Sequence, residues 1–510
     1  MNQKSEHFYT ILNLVTGFTT VIVQFAIGFF LSPFIVKALG AEANGYTQLA
    51  SNFVMYASLL TTAFNSMASR FVAIAFHQER LNRAKELYSS IFVVNLCLIA
   101  LLLPIALLIT LRLENVIVID NIGYTDVKLL FGCVFANFFV SMISSLYSIS
   151  MYVRNAIFYS NILNCVKVIC NAILLLVLFS LLPVKIFYVS FVSFFLGIVL
   201  LPAYIHYQKR LLPEIHLEFR AFSFSAVKEM FLAGIWNSVN QCGHLLLTGL
   251  DLLLSNWFIS PYAMGMIAVS KTIPSAIIQL GTTLNTNFSP SITIYWAKSD
   301  YNTILRELRI AMKISILIMS IPIVTFSCLG IEFYALWQPT LDARILLILS
   351  VLGCTQFILF AGTQVLYNVL TASNHLKVNS VTFIVMGIIN VLVVFWGLKN
   401  FPQYGMYIII GTSSTLSIVR QIIIMLPYTA RLLNQQWYTF YKDLLQTLIC
   451  CFINVLISLA TIYIIPISGW TTLVLDGAII ASMAIILESH YLLTKEERNK
   501  IIYKLIRIRK

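Results

Sequence analysis

Charge is scarce in this sequence. Only 10% of its 510 residues are Asp, Glu, Lys or Arg, against about 25% in soluble globular domains. With 59% hydrophobic residues and a mean hydropathy of +0.88, the chain falls outside the soluble class and reads as a polytopic membrane protein. It lacks the GxxxxGK(S/T) loop that cradles nucleotide phosphates, so it has no P-loop route to ATP hydrolysis. HExxH and GxSxG are missing as well, which removes the zinc-peptidase and nucleophile-elbow constellations. None of the nine cysteines stands in a CxxC pair and most lie in apolar runs, so neither a disulfide framework nor a metal site is indicated. The lack of any sizeable soluble domain argues against an ABC-type pump and a membrane glycosyltransferase. The longest loop expected outside, 112–126, is too short to hold sugars for a polysaccharide polymerase. No catalytic residue, cofactor or metal is expected.

What the chain has is apolar runs. A spanning helix needs about 20 mostly apolar residues, and about fourteen runs qualify: 11–36, 46–67, 88–111, 128–152, 157–182, 186–207, 230–257, 262–284, 310–332, 343–370, 378–399, 404–426, 444–466 and 470–493. The opening MNQKSEH leads into a run too long for a signal-peptide core and without an evident cleavage site, so the first run reads as a retained span. Basic residues set the orientation. With the N-terminus inside, Lys37, Arg112, Lys128, Lys185, Arg344 and Lys399 fall outside or at that rim, and Lys167 and Lys271 fall within spans. The remainder, including Arg70, Arg80, Arg83, Lys85, Lys209, Arg210 and the tail KEERNKIIYKLIRIRK, count as inside. That bias predicts a multi-pass protein with both termini cytoplasmic. Although the net charge is +13, the basic residues are spread over short loops, so nucleic acid is not an expected partner.

The run from Met230 to Trp257 is apolar enough to cross a bilayer yet carries Asn237, Asn240, Gln241, His244, Thr248 and Asp251. Recurring every three or four residues, these form one polar stripe on a helix. Such a stripe is costly unless it faces protein or water, so it is expected to line an interior path. Residues 11–31 repeat the layout with Asn13, Thr16, Thr20 and Gln24, and an offset of 220 places Thr20 on Asn240 and Gln24 on His244. The same offset aligns GAEANGYTQLAS with SPYAMGMIAVSK (Gly45 on Gly265) and TTAFNS with GTTLNT (Asn65 on Asn285). CNAILLL aligns with INVLVVF at an offset of 219, placing Asn171 on Asn390. Repeats of six spans each are parallel, related about an axis along the membrane normal. The expectation is an all-α membrane protein of two pseudo-symmetric six-helix lobes, 1–207 and 230–427. A cytoplasmic connector at 208–229, with a short amphipathic surface helix, joins them. Residues 428–510 add a helix pair and a basic tail.

Two intramembrane charges stand out. Asp251 and Lys271 lie about equally far from the outside turn near Phe258–Pro261, roughly 12–15 Å deep at 1.5 Å per residue. Equal depth on adjacent helices predicts an ion pair, read either as a structural bridge or as a gate with Lys271 as an anion contact. Lys167 shares a face with Asn161, Asn164 and Asn171. It reads as snorkelling to the inner surface or as a cationic contact in the cavity for pyrophosphate. Arg70 reads as a positive-inside anchor or a phosphate contact. His244 reads as a proton-coupling group or a satisfied interior histidine. The Asn, Gln and Thr stripe suits sugar hydroxyls, with interhelical hydrogen bonding as the alternative.

At these residues the chain resembles a known group. ALGAEANGYTQLAS is similar to the turn between the first two helices of polysaccharide flippases. The segment from Asp251 through SPYAMGMIAVSK to Lys271 is similar to their seventh-to-eighth helix region. FSPSITIYWAKSDY (288–301) and GIEFYALWQPTLDARILLIL (330–349) resemble their loop after helix eight and their turn into helix ten. The group is the multidrug/oligosaccharidyl-lipid/polysaccharide exporter superfamily (MOP), and within it the O-antigen or capsule (Wzx-type) flippases, over nearly all of residues 8–430. The chain departs at Met266, where an aromatic is common, and in its extra helix pair. The resemblance implies a MATE-like pair of lobes around a central cavity and alternating access in a bacterial inner membrane. It further implies an undecaprenyl-diphosphate-linked oligosaccharide as cargo, and a polysaccharide polymerase and glycosyltransferases as partners in lipopolysaccharide, capsule or exopolysaccharide synthesis. The alternatives are a cation-coupled multidrug exporter and a lipid II or teichoic-type flippase.

Overall fold

The computed structural model describes residues 3–120, 122–373, 375–495 and 497–498; the side chains of 3–11, 14, 286, 287, 290 and 297 are not described. Most of the expected basic tail therefore lies outside the described residues. The first helices are α1 (Gln3–Leu39), α2 (Ala41–His77), α3 (Leu81–Leu111), α4 (Tyr124–Val153), α5 (Phe158–Leu181) and α6 (Tyr188–Leu211). After the connector come α7 (Phe224–His244), α8 (Asp251–Phe258), α9 (Pro261–Ser270), α10 (Thr272–Ala297), α11 (Tyr301–Trp337) and α12 (Ala343–Thr363). The remainder are α13 (Tyr367–Ala372), α14 (Leu376–Asn400), α15 (Gly405–Val419), α16 (Leu426–Leu432), α17 (Tyr441–Ile464) and α18 (Trp470–Leu492). Among the described residues there is no strand.

Thirteen helices among the described residues are long and apolar enough to cross a membrane. The expected span at 230–257 is not one of them. It is divided between the polar α7, a π-helical segment Leu245–Gly249 and the eight-residue α8. Large apolar side chains project outward along the spans, as Leu101, Leu107, Leu108 and Leu111 do on α3 and Val474, Ile485 and Ile486 do on α18. A water-facing surface could not carry so much apolar area; a bilayer can.

By contacts the chain forms two compact units. The first comprises Met1–Leu245 and Gly249–Gly265. Its core at one end gathers Val72, Leu87, Tyr88, Ile91, Leu146, Ile149 and Met230 from α2, α3, α4 and α7. The helix that opens the second sequence repeat thus packs on α2, and Gly234 is what lets it: a β-carbon built there falls 2.0 Å from the Ala63 carbonyl oxygen. Small residues at crossings allow this backbone approach. Gly234→Ala should therefore cost about 1–3 kcal/mol by overpacking, read as a lower thermal midpoint in detergent; an unchanged midpoint refutes the close crossing. Gly45 and Gly265, equated by the repeat, also meet. A β-carbon on Gly265 would lie 2.4 Å from the Ala41 carbonyl oxygen, and one on Gly45 would lie 3.0 Å from the Gly265 Cα.

The connector differs from its expectation as a surface helix. It holds only a three-residue 3-10 turn, Phe219–Ala221. Lys85 pairs with Glu218 at 3.3 Å, Arg154 with Glu214 at 2.9 Å, and Arg83 with Glu229. Ser89 and Ser90 accept from the backbone N–H groups of Glu218 and Ser223. Side chains of α3 satisfy the connector backbone at Glu218 and Ser223, so a helix is not needed to do it there.

The second unit comprises Leu246–Thr248 and Met266–Lys510. In it α11 packs on α10, α12, α17 and α18. Asp300 caps α11 by accepting from the Thr303 N–H at 3.1 Å, and the hydrogen bonds from Thr303 hold its carboxyl below the usual carboxylate range. Helices α17 and α18 join α11 through Ile321, Leu329, Ile457, Leu473 and Ile480. Among them lie Glu488 and Asp476, both fully buried. Ser320 donates to both oxygens of Glu488, at 3.1 and 3.0 Å, and the Asn454 amide donates at 2.6 Å. With Asp251 they make three buried acids within the expected spans, among the described residues.

Candidate functional site

The polar face of α1 meets α5. Thr20 donates to the Asn161 carbonyl at 3.0 Å, and the Asn161 amide donates to the Asn13 carbonyl at 3.2 Å and to the Thr16 hydroxyl at 3.1 Å. Asn13 also accepts from the Phe158 N–H at 2.7 Å and donates to the Asn155 carbonyl at 3.0 Å. That steadies a turn in which Asn155 has φ +54. Three of the four residues of this stripe thus act between helices, while Gln24 is exposed.

The stripe on α7 divides. Asn237 donates to Ser66 at 3.2 Å, Gln241 donates to Ser58 at 2.9 Å, and Gln241 accepts from Thr62 at 2.7 Å, all on α2. Asn240 is half-buried and His244 exposed. Beyond them the π segment frees carbonyls, and side chains take them up. In the first unit the Gly249 carbonyl accepts from Tyr56 at 2.9 Å and Asn52 at 3.1 Å. In the second, Asn390 donates to the Leu247 carbonyl at 3.0 Å and Lys271 donates to the Thr248 carbonyl at 3.1 Å. π-Bulges occur frequently at functional sites.

Asp251 is buried at the first turn of α8, where a helix N-terminus favours a negative charge. Lys271 is half-buried and separates α9 from α10. Pro274 explains that break: with no N–H it cannot bond the Ser270 carbonyl, which accepts from the Ser350 hydroxyl at 2.8 Å instead. The two charges expected on straight neighbouring helices each sit at a helix break. Asn65 and Asn95 exchange amide hydrogen bonds of 3.0 and 2.8 Å. The Asn285 amide is buried without a partner among the described residues. Arg70 is exposed. Lys167 donates to Asn137 at 3.1 Å and, with Asn164, lines a cavity; Asn161 faces α1, and Asn171 donates to Ser193 on α6.

Two features lie outside the sequence-based expectations. Arg420, counted as inside, is buried in a second π segment, Arg420–Met425. Its guanidinium lies 3.5 Å over the Phe383 ring and donates to Asn379 at 2.9 Å. Its place within the expected span 404–426 was the available signal. The other is the segment 116–120, which side chains of α2 and α8 pin by its backbone. Asn256 accepts from the Val118 N–H at 2.8 Å and donates to the Val118 carbonyl at 2.9 Å; Tyr46 donates to the same carbonyl at 3.0 Å. Trp257 donates to the Val116 carbonyl at 2.6 Å. Among the described residues no group of three or more His, Cys, Asp or Glu could hold a metal.

The class follows: a multi-pass membrane protein with the MurJ/MATE-like helical fold. Among solved structures, the lipid II flippase MurJ in an inward closed conformation is similar, with a TM-score of 0.68 at 14% identity over 95% of this chain and 100% of that one. A multidrug resistance MATE family transporter of the MOP superfamily, inward-facing, gives 0.65 at 11% identity over 83% of this chain and 98% of its own. The uncharacterized membrane protein EpsK of Bacillus subtilis (strain 168) is 24% identical over 497 residues, 96% of this chain and 97% of that protein. No family model matches the chain.

Proposed function

We propose that the protein is a non-hydrolytic flippase. In this reading it moves an undecaprenyl-diphosphate-linked oligosaccharide from the inner to the outer face of a bacterial cytoplasmic membrane by alternating access, with both termini cytoplasmic. The cargo is a repeat unit for O-antigen, capsule or exopolysaccharide, received from glycosyltransferases and passed to a polymerase. The observation that carries this is the whole-length likeness to a lipid flippase, over 95% of the chain against 83% for the multidrug transporter. The intramembrane cations Lys167, Lys271 and Arg420 favour an anionic cargo. Buried Asp251, Asp476 and Glu488 favour the second reading, a cation-coupled multidrug exporter.

A diphosphate head carries about two negative charges, so an inside-negative potential drives it outward. At about 2.3 kcal/mol per charge per 100 mV the drive is roughly 4–5 kcal/mol per 100 mV. The test is complementation of a strain lacking its own polysaccharide flippase, followed by flipping of the lipid-linked saccharide in proteoliposomes. Flipping should slow when the potential is collapsed; indifference refutes this drive, and failure of both assays refutes the flippase reading.

A further inference from the structure

The cavity between α4, α5 and α6, in the first unit, has a volume of about 210 Å³. One wall is a row of serines on α4, Ser141, Ser144, Ser145 and Ser148, spaced to share a helix face. Each hydroxyl donates its hydrogen to a carbonyl of its own helix: Ser141 to Phe138 at 2.8 Å, Ser144 to Val140 at 3.0 Å, Ser145 to Met142 at 2.7 Å and Ser148 to Ser145 at 2.7 Å. What the row offers the cavity is oxygen lone pairs, so it accepts hydrogen bonds. Lys167 lines the same cavity from α5. One of its three N–H groups is spent on Asn137, and among the described residues it has no carboxylate partner. Gly197 keeps the space open, since a β-carbon there would lie 3.3 Å from Asn137 Oδ1 and 3.6 Å from Lys167 Nζ.

A ligand that answers these groups must bring hydrogen-bond donors to the serines and a negative charge to the ammonium. Inorganic phosphate brings charge but few donors. A neutral sugar brings donors and leaves the ammonium without an anion, and an acyl chain brings neither. A sugar ring carrying a carboxylate brings both. The volume equals roughly seven waters at about 30 Å³ each and falls short of the roughly 300–1,000 Å³ of sites for drug-sized ligands, so it admits a single ring. We infer that this cavity is a subsite for one acidic sugar residue, with Lys167 binding the carboxylate and the serine row the ring hydroxyls. As a statement about cargo, it rests on the flippase reading.

The test uses purified full-length protein in nanodiscs, titrated with methyl β-glucuronide and methyl β-glucoside by saturation-transfer NMR, with inorganic phosphate as competitor. The glucuronide should bind at least about tenfold more tightly than the glucoside, a difference of about 1.4 kcal/mol, and phosphate at equal concentration should not displace it. Lys167→Gln should remove that preference. Should that variant fail to fold by gel filtration, the double variant Ser144→Ala with Ser148→Ala keeps the charge and should weaken both sugars. Equal binding of the two sugars, displacement by phosphate, or unchanged binding in the folded variants overturns the subsite. Binding and flipping fail separately. Wild-type protein that binds the glucuronide but flips no lipid-linked saccharide sinks the flippase reading alone, whereas flipping without glucuronide preference sinks the subsite alone.

Discussion

Replacing Lys271 by alanine should abolish transport while the protein remains in the membrane at normal abundance. The ammonium donates to the Thr248 carbonyl, one of the carbonyls freed by the π-helical segment Leu245–Gly249. Hydrogen bonds to charged groups contribute about 1.5–3 kcal/mol, which corresponds to roughly 10–150-fold in rate if the interaction is needed in the moving state. Two further variants separate its two candidate roles. Lys271→Gln can still donate to the carbonyl but carries no charge. Lys271→Arg keeps the charge on a differently shaped head. Rescue by glutamine would make Lys271 a positioning residue for the broken segment; rescue by arginine alone would make it a contact for anionic cargo. Normal complementation by Lys271→Ala at wild-type abundance would remove it from the site.

Asn256→Ala should loosen the segment at residues 116–120. The Asn256 amide satisfies both the N–H and the C=O of Val118 and is itself 1% exposed. Its loss strands the Val118 N–H, at about 1–3 kcal/mol for an unsatisfied buried group, and leaves the Val118 carbonyl to Tyr46 alone. Local opening free energy sets amide exchange, so the peptide containing Val118 should exchange roughly tenfold to a hundredfold faster in hydrogen–deuterium mass spectrometry. Exchange at the wild-type rate would mean that Tyr46 and Trp257 hold the segment without Asn256.

The helices were legible because a bilayer imposes length. A run of about 20 apolar residues has few other uses, and all but one of the expected runs match a helix that is long and apolar enough to span. The exception, 230–257, is divided for a local reason. Gly249 and Leu250 lie where the helix gives way, and Asn52 and Tyr56, about 190 residues away in sequence, supply the hydrogen bonds that make the break tolerable in an apolar medium. Nothing within the run announces those partners. The Lys167 cavity was half legible: the lysine was visible, but the serine row gains meaning only beside it. Arg420 was passed over because a charge near a span end usually reaches water, as Arg70 does.

By itself the sequence determined the solvent this protein lives in, its helical class and the faces of α1 and α7 that are polar, because burial cost and helical periodicity are properties of the local chain. Tertiary structure alone decided what those faces meet. Thr16 and Thr20 meet Asn161, Gln241 meets Ser58 and Thr62, and Lys271 meets a carbonyl that a straight helix would have kept for itself. Periodicity gives the direction of a side chain about its own axis, while its partner depends on how distant helices pack, and that is settled only when the whole bundle closes.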